Sequence, residues 1–418
     1  MTSSAALIPS NYERATRIDQ PPPSPVVDSM AWHRINSDCH ETLGTHGNYW
    51  WQRSGYALAI LLGKAGYSYA AQTRILDFFA RSIAPRLGVA NEPGVERWKS
   101  FMTDNHNPIE LSWDWHTGHK PPTVRFSIEP VGKEAGTLRD PYNEHAPREF
   151  LEAALRDLPA ANMHWFNHFE SYFHLGITRH SATGHQSKVF WAFDLDEKDI
   201  AGKAYFFPGY RASAVRQTNV QVISDAIHAA PSCKPEDLKG LYVFQEYARE
   251  QAKAPLEMDM LAIDLVEPSQ SRLKIYFRSR ETSFQSVITT MTLGGRLANN
   301  DTDAGLRSLR RLWDGLFGQQ GVPDASPLSA SKHRTAGILY YVEFRLGSKA
   351  PKVKVYLPVR HYAQNDWQIM NAVGDFMSSA KVGTNGVTQS DKIQAPLAYR
   401  EAMCKMLPAT DMTRFAME

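Results

Sequence analysis

The stretch that decides the fold is Arg272-Leu-Lys-Ile-Tyr276, in which polar and apolar side chains alternate. Successive side chains of a β-strand point to opposite faces, so the two basic residues and the tyrosine share one face and the aliphatic residues share the other. The same pattern returns at Lys203-Ala-Tyr205 and at Lys352-Val-Lys-Val-Tyr356. The Lys-x-Tyr pair therefore recurs in three separate predicted strands, and two of them add a further cation on the same face.

A basic face on a strand has two interpretations. On one strand alone, lysine and tyrosine most often form an exposed outer face. Three recurrences favour the lumen of a closed barrel, because neighbouring like charges on an open sheet cost stability unless an anion compensates them. If helices cover the apolar face, the polar face lines the interior, where the cations would hold a polyanionic ligand.

Helical and strand periodicity alternate along the chain. Helices are predicted at Tyr49–Gly63, Tyr69–Ala84, Pro147–Leu158, Met163–Phe173, Thr218–Ala230, Ala304–Phe317, Trp367–Ser379 and Leu397–Leu407. Strands are predicted at Ile109–Trp115, Val124–Val131, Ser187–Asp194, Lys203–Phe207, Leu261–Leu265, Arg272–Arg278, Ile338–Leu346 and Val353–Val359. Because the strands of each pair are close in sequence, we expect antiparallel pairing in an α/β fold of repeated α–α–β–β units.

The composition is that of an ordinary globular protein. The 418 residues are 43% hydrophobic and 22% charged, and a net charge of +2 gives no general attraction to nucleic acid or membrane. The cysteines Cys39, Cys233 and Cys404 form no CxxC motif, which fits a reducing compartment. Residues 1–30 lack an apolar signal-peptide core, so we expect a disordered or loosely attached N-terminal segment, one domain over residues 31–418 and a cytoplasmic location.

The predicted lumen suits an allylic diphosphate. Arginine and lysine bind phosphate oxygens, whereas tyrosine rings attract a carbocation and exclude water. The chain has no DDxxD magnesium motif, and its nearest segments are Asn300-Asp-Thr-Asp303, predicted as a helix cap, and Asp194-Leu-Asp-Glu197, predicted in a hairpin loop. Metal-independent binding of the diphosphate is therefore favoured.

Several segments resemble the dimethylallyltryptophan synthase (DMATS) family of fungal aromatic prenyltransferases. They are residues 101–113 (FMTDNHNPIELSW), 124–130 (VRFSIEP), 135–141 (AGTLRDP), 203–205 (KAY), 271–276 (SRLKIY) and 354–362 (KVYLPVRHY). The likeness extends from about Trp50 to the last residue. It implies an ABBA prenyltransferase barrel, an antiparallel β-barrel of about ten strands ringed by helices, and dimethylallyl diphosphate as co-substrate with no metal required.

The resemblance also implies roles for individual residues. The diphosphate would be bound by five basic residues, Arg125, Lys203, Arg272, Lys274 and Lys354. The allylic cation would be shielded by Tyr205, Tyr276 and Tyr356. The acceptor would lie against Met102, Glu110 and Phe190. Glu110 would be catalytic, because a hydrogen bond from the acceptor's indole N–H raises the electron density of the ring in the transition state.

Two features depart from the family pattern. Tryptophan-modifying members carry a lysine shortly before the Asp-Leu pair to take the ring proton, and Phe190 stands there, with Lys188 two residues earlier. The chain also stops at Glu418, before a final strand pair that carries further tyrosines, and we expect that this pair has been clipped. Lys354 stands where some members have glutamine, and both side chains donate hydrogen bonds.

The sequence therefore predicts an aromatic prenyltransferase that transfers a dimethylallyl group by electrophilic substitution. Expected partners are a prenyl diphosphate and an aromatic small molecule, with no nucleic acid and no membrane, in a monomer or homodimer. An indole-containing acceptor of alkaloid-type metabolism is the first expectation. The alternatives are a phenolic polyketide or xanthone, since Glu110 could bond a phenol O–H equally well, and a non-catalytic diphosphate-binding barrel.

Overall fold

Eight strands form one antiparallel sheet in chain order in the computed structural model, which describes residues 29–39, 41–90, 97–115, 122–174, 185–251, 254–379 and 389–406. They are β1 (Ile109–Asp114), β2 (Thr123–Ile128), β3 (Val189–Leu195), β4 (Ile200–Phe206), β5 (Glu257–Asp264), β6 (Leu273–Ser279), β7 (Ile338–Phe344) and β8 (Lys352–Tyr356). Each corresponds to a predicted strand, with ends that differ by a few residues. The predicted N-terminal segment lies outside the described residues up to position 28.

Helices flank the strands in chain order. They are α1 (Met30–Cys39), α2 (Gly44–Trp50), α3 (Tyr56–Lys64), α4 (Tyr69–Phe78), α5 (His145–Asp157), α6 (His164–His174), α7 (Gly209–Val215), α8 (Asn219–His228), α9 (Lys239–Glu250), α10 (Phe284–Met291), α11 (Asn300–Phe317), α12 (Val359–Tyr362), α13 (Asp366–Ser379) and α14 (Gln389–Met406). The eight predicted helices are present. The predictions omitted α1, α7, α9, α10 and α12, of which α7 and α12 are too short to show a helical period.

The outer face of the sheet packs against these helices through aromatic side chains. Phe126, Phe193 and Phe206 on this face are fully buried. Ring centroids of helix and strand residues lie 5.5 Å apart for Phe79 and Phe126, 5.5 Å for Phe166 and Phe206, and 5.1 Å for Phe244 and Phe277. Burial of this apolar face stabilises the curved sheet and leaves the other face to line an interior space.

The edge strands of the sheet are β1 and β8. Each pairs with one neighbouring strand within the described residues. The described part of the chain thus holds eight of the approximately ten strands that the resemblance implies.

Two acidic segments differ from their predicted positions. Asn299, not an aspartate, caps α11, because its side chain accepts a hydrogen bond of 2.9 Å from the Thr302 amide, and Asp301 and Asp303 follow in the first turn. Asp194 lies in β3 and not in the hairpin loop, since the strand continues to Leu195.

Two further properties concern the whole described chain. Cys39, Cys233 and Cys404 are free thiols. None of the helices in the described ranges combines the length and the apolar character that crossing a bilayer requires.

Candidate active site

The inner face of the sheet lines a cavity of about 570 Å³. The structure brings to its wall all eleven residues that the sequence singled out: Met102, Glu110, Arg125, Phe190, Lys203, Tyr205, Arg272, Lys274, Tyr276, Lys354 and Tyr356. The alternation along each strand places them there, because residues two apart share the inner face. The three basic and phenolic strands thus converge on one cavity.

Strand β6 shows the order of groups along the cavity. Lys274, Tyr276 and Arg278 point inward in succession, each about 6.6 Å beyond the last. Two regions are named from this order. The cationic end comprises Arg125, Lys203, Arg272, Lys274 and Lys354, and the mixed end comprises Asp104, Asp259, Arg278 and Arg334. Between these two regions lies the tyrosine layer, which consists of Tyr205, Tyr276, Tyr341 and Tyr356.

Carboxylates that the sequence analysis did not assign compensate the cationic end. Asp194 lies 2.5 Å from the Lys203 Nζ and 2.7 Å from the Arg125 guanidinium. Arg125 also lies 2.7 Å from Asp114 on β1. Asp194 and Asp114 occupy alternate positions of their strands, which is the signal that could have placed them on the inner face with Arg125.

Asp264 organises the other half of the cationic end. It accepts hydrogen bonds of 2.6 and 2.9 Å from the Arg272 guanidinium and one of 3.1 Å from the Lys274 Nζ. Burial acts to raise the pKa of Asp264, but these two partners hold it well below its ordinary value. Burial lowers the pKa of Lys274 to about 8, although Asp264 opposes this shift.

The tyrosine layer is a cluster of four rings. Tyr276 is central, with its ring centroid 5.7 Å from Tyr205, 6.1 Å from Tyr356 and 5.1 Å from Tyr341. Burial raises the pKa of Tyr276, which keeps its hydroxyl protonated and able to donate. Tyr341 is not among the residues predicted from the sequence. Its alternation with Glu343 on β7 was the available signal, and the pairing of Tyr341 with Tyr276 confirms the shared face.

Cation–π contacts join the tyrosine layer to the cationic end. The Lys354 Nζ lies 5.3 Å from the ring centroid of Tyr356 and 6.0 Å from that of Tyr341. These rings therefore face a positive charge that the protein itself supplies.

The remaining predicted residues lie around the tyrosine layer. Glu110 on β1 lies opposite Ser127, and its charge reaches the hydroxyls of Tyr205 and Tyr356. Phe190 pairs with Tyr205 across β3 and β4. Glu110 and Phe190 thus contribute one carboxylate and one apolar ring to the cavity wall.

The segment before β1 is fixed by a buried carboxylate, Glu129. It accepts hydrogen bonds of 2.9 Å from the Trp98 indole and 2.8 Å from the Ser187 hydroxyl, and that hydroxyl accepts one of 3.0 Å from the Phe101 amide. Burial raises the pKa of Glu129 to about 7. These bonds anchor Met102 at the cavity wall.

Lys188 lies apart from the cavity wall. Its Nζ is 3.3 Å from Glu144 and 5.4 Å from the ring centroid of Tyr210. On β3, Phe190 and not Lys188 therefore lines the cavity.

The mixed end carries charges of both signs. Arg278 donates a hydrogen bond of 2.7 Å to the Thr335 carbonyl and lies 3.6 Å from Asp259. The Arg334 guanidinium lies 4.1 Å above the Phe101 ring. A second cavity of about 1030 Å³ meets the first here, because Phe101, Asp259 and Arg278 line both.

A polar network lies beside the mixed end. Asp104, His333 and His361 bring one possible metal-ligand atom each within 4.8 Å of one another. The Thr335 hydroxyl lies between them, 2.9 Å from Asp104, 2.9 Å from His333 and 2.7 Å from His361. Since this hydroxyl already links all three groups, we assign them as a hydrogen-bond network that joins the segment before β1 to α12.

Comparison with known proteins decides the family. The profile described as "Tryptophan dimethylallyltransferase" matches residues 46–390. The chain belongs to this family, the DMATS-type prenyltransferases. It is an aromatic prenyltransferase.

Relatives of this prenyltransferase differ in the acceptor that their names state. The chain is 37% identical over 340 residues to the 4-O-dimethylallyl-L-tyrosine synthase of Claviceps purpurea. This match covers 79% of this chain and 76% of the relative. The chain is 32% identical over 348 residues to the 7-dimethylallyltryptophan synthase of Aspergillus fumigatus, and this match covers 78% of this chain and 73% of the relative.

Solved structures agree with the fold. NotF, in complex with brevianamide F and DMSPP, superposes with a TM-score of 0.75 over 92% of each chain at 24% identity. AnaPT from Neosartorya fischeri gives a TM-score of 0.74, also at 24% identity, over 92% of this chain and 91% of its own. The prediction of an ABBA prenyltransferase barrel is confirmed.

Proposed function

We propose that this prenyltransferase transfers a dimethylallyl group from dimethylallyl diphosphate to a phenolic or indolic acceptor and needs no metal ion. The observation that carries the proposal is the order of groups in the cavity. Five cations are followed by four tyrosine rings, and Glu110 lies beside the rings. This order matches the charges of an ionising allylic diphosphate, which are an anion at one end and a carbocation beside it.

The cationic end would bind the diphosphate and assist its departure. The C–O bond breaks, and the diphosphate leaves with the electron pair into hydrogen bonds from Arg272, Lys274 and Lys203. The tyrosine faces stabilise the allylic cation and keep water away from it. The basic side chains take the part that a metal ion would otherwise fill, which supports metal-independent transfer.

The acceptor ring would lie between the tyrosine layer, Phe190 and Glu110. We favour a phenolic hydroxyl as the nucleophile. Its oxygen forms the new C–O bond with the allylic cation, and its proton passes to Glu110, so one carboxylate serves both to orient the acceptor and to remove the proton. Attack by a ring carbon would require a second base, and Phe190 offers none.

An indole remains the second candidate, because its N–H can donate to Glu110 and because the tryptophan-modifying relative shares 32% identity. The relative with 37% identity is named a 4-O-dimethylallyl-L-tyrosine synthase, and a product that carries the prenyl group on a phenolic oxygen supports the phenolic acceptor.

The direct test is incubation of the purified protein with dimethylallyl diphosphate, EDTA and a panel of phenols and indoles. Mass spectrometry should show the gain of one dimethylallyl unit on a phenolic acceptor, and fragmentation should place it on oxygen. Absence of product with every acceptor would refute the proposal. Activity that is lost in EDTA and restored by magnesium would refute metal independence alone.

Glu110→Gln tests the catalytic assignment. We expect kcat to fall by about 10²- to 10³-fold, while the KM for the donor changes by less than about twofold, because the carboxylate acts on the acceptor in the transition state. Glu152→Gln on the exposed face of α5 is the matched control. Equal losses in turnover and donor affinity would contradict the role of Glu110.

A further inference from the structure

We propose that Asp104, His333 and His361 also form a binding site for Zn²⁺, and that an ion bound there restricts the entry of the acceptor. Two imidazole nitrogens and one carboxylate oxygen are ligands that zinc takes in proteins, whereas Mg²⁺ and Ca²⁺ prefer oxygen ligands. The ion would have no part in the transfer of the prenyl group, so the site is compatible with a reaction that needs no metal.

The separations of the ligand atoms fit a zinc ion. The Asp104 Oδ2 lies 3.7 Å from the His333 Nδ1 and 3.5 Å from the His361 Nε2. Zinc bonds of about 2.0–2.2 Å at tetrahedral angles hold neighbouring ligand atoms about 3.4 Å apart. The three side chains therefore need only a small movement to coordinate the ion, and a water molecule would complete the fourth position.

The Thr335 hydroxyl lies where the ion would bind. A hydroxyl has a single proton, so it can donate to only one of its three neighbours at a time. The Thr335 amide also donates a hydrogen bond of 3.3 Å to the His333 Nδ1, which indicates that this nitrogen carries a lone pair. A zinc ion would accept electron pairs from all three groups at once when the hydroxyl rotates away. The hydrogen-bond network and the metal site are thus two arrangements of the same side chains.

The backbone holds two of the ligands in place. The turn that carries Asp104 is closed by a hydrogen bond of 3.0 Å from the His106 amide to the Thr103 carbonyl. The His333 carbonyl accepts one of 3.1 Å from the Ala336 amide. Metal binding would therefore cost little ordering of the chain. The His333 side chain is 46% exposed, whereas that of Asp104 is 11% exposed, so an ion can reach the site from solvent past His333.

Neighbouring arginines would moderate the affinity. The Arg360 Nε lies 3.6 Å from the Asp104 Oδ2, and the charge of Asp104 also reaches Arg334. These guanidinium groups would repel a divalent cation. We therefore expect reversible binding, and an ion that can leave suits a regulatory site better than a structural one.

The position of the site explains why the acceptor would be affected. Asp104, Thr335 and His361 line the cavity together with Met102, whereas the cations that bind the donor lie beyond the tyrosine layer. A zinc ion would bind the segment before β1 to α12 and present a hydrated positive charge to the cavity at this end. The KM for the acceptor should therefore rise, while the KM for the donor should not change.

Calorimetric titration with zinc chloride tests the site without any need for turnover. The protein carries no histidine tag and is freed of EDTA by gel filtration. We expect one zinc ion per chain, and His333→Gln should weaken its binding by at least about 100-fold, because even the loss of a group that supports a ligand costs about 10- to 100-fold. His164→Gln, at an exposed histidine of α6, is the control and should bind zinc as the parent protein does. The absence of binding, or equal affinities in the parent and His333→Gln, would overturn the site.

Cobalt and Arg360→Gln test the geometry of the site. Co²⁺ bound in place of Zn²⁺ should give the strong visible absorption of a four-coordinate ion in the parent protein and in His164→Gln, but not in His333→Gln. Arg360→Gln removes a repelling charge and should raise the affinity for zinc by about threefold at low ionic strength. Weaker zinc binding in Arg360→Gln would contradict an ion beside Asp104.

Steady-state kinetics test the consequence for the reaction. At a zinc concentration that saturates the site, the KM for the acceptor should rise by about fivefold or more, and the KM for the donor should stay within about twofold. EDTA should reverse the effect, Mg²⁺ at the same concentration should not produce it, and His333→Gln should not respond to zinc. Equal inhibition of the parent and His333→Gln, or zinc binding with no change in the KM for the acceptor, would overturn the proposed restriction. If no acceptor is prenylated, the proposed function fails, while calorimetry and cobalt absorption still decide the site.

Discussion

The two ends of the cavity differ in how their charges are compensated. At the cationic end, Lys203 and Lys274 each have a carboxylate within 3.1 Å, and Asp264 holds Arg272 through two hydrogen bonds. At the mixed end, the closest approach of Arg278 to a carboxylate is 3.6 Å, and Arg334 has a buried nitrogen without an acceptor in the described chain. The cations of the cationic end are therefore paired more closely with carboxylates than Arg278 is with Asp259.

From this difference we infer that the mixed end selects the acceptor. A network of paired cations is held in place before any ligand arrives, so it suits the diphosphate that every reaction of this kind shares. A site with unmet donors discriminates strongly, because an acceptor lacking the matching group leaves those donors buried and unpaired. We therefore expect substitutions at the cationic end to affect all acceptors alike and those at the mixed end to affect them unequally.

The largest expected effect is at the cationic end. Lys274→Ala should lower kcat/KM for the donor by about 10²- to 10³-fold, since it removes a buried charge and leaves Asp264 facing the diphosphate with one partner fewer. The loss is measured with two different acceptors under donor-limited conditions.

Lys352→Ala provides the control for this substitution. Lys352 is an exposed lysine of β8 that does not line the cavity, so its removal should change donor kinetics by less than about twofold. If the loss in Lys274→Ala differed markedly between the two acceptors, the division of the cavity into a shared end and a selective end would be wrong.

The sequence was informative for the cationic end and for the strands. The alternation of polar and apolar residues predicts all eight strands. It also predicts that Arg272, Lys274 and Tyr276 face the cavity, because side chains on the inner face recur at every second residue and each strand carries a buried outer face. The carboxylates were harder to assign. Asp194 is predicted in a loop because Asp, Leu, Asp and Glu in succession also favour a turn. Only the ion pair in the structure shows that it meets Lys203, since in the register with β4 it lies opposite Ala201.

The mixed end could not be assembled from the sequence. Asp104, Asp259 and Arg334 come from three distant parts of the chain, and Asp104 and Arg334 lie outside the regular strands. Asp259 lies within β5, but a bulge changes its direction, and no sequence pattern locates that bulge. The mixed end thus depends on tertiary packing, whereas the cationic end follows a local period along the strands.

A smaller effect is expected where the tyrosine layer meets the acceptor. Phe190→Lys should shift the ratio of indole to phenol prenylation towards indole by about tenfold, because a lysine beside Tyr205 would supply a base for the ring proton. Product ratios from competing tyrosine and tryptophan measure the shift. Phe190→Met keeps an apolar side chain and is the control. A decrease of both activities without a change in their ratio would show that Phe190 serves packing alone.

The smallest expected effect is a pH dependence that should be confined to donor binding. Burial lowers the pKa of Lys274 to about 8, and a bound diphosphate would raise it, so binding takes up an increasing fraction of a proton as the pH rises through 8. Through this lysine alone, the affinity for the donor should therefore fall by about fourfold between pH 7 and pH 8.5. Calorimetric titration with inorganic diphosphate measures this directly, and Lys274→Arg should abolish the dependence because arginine does not titrate in this range. If the Lys274→Arg variant shows the same decrease in donor affinity, a group other than Lys274 causes the decrease. A parallel decrease in acceptor affinity would mean that the two ends of the cavity are electrostatically coupled through the tyrosine layer.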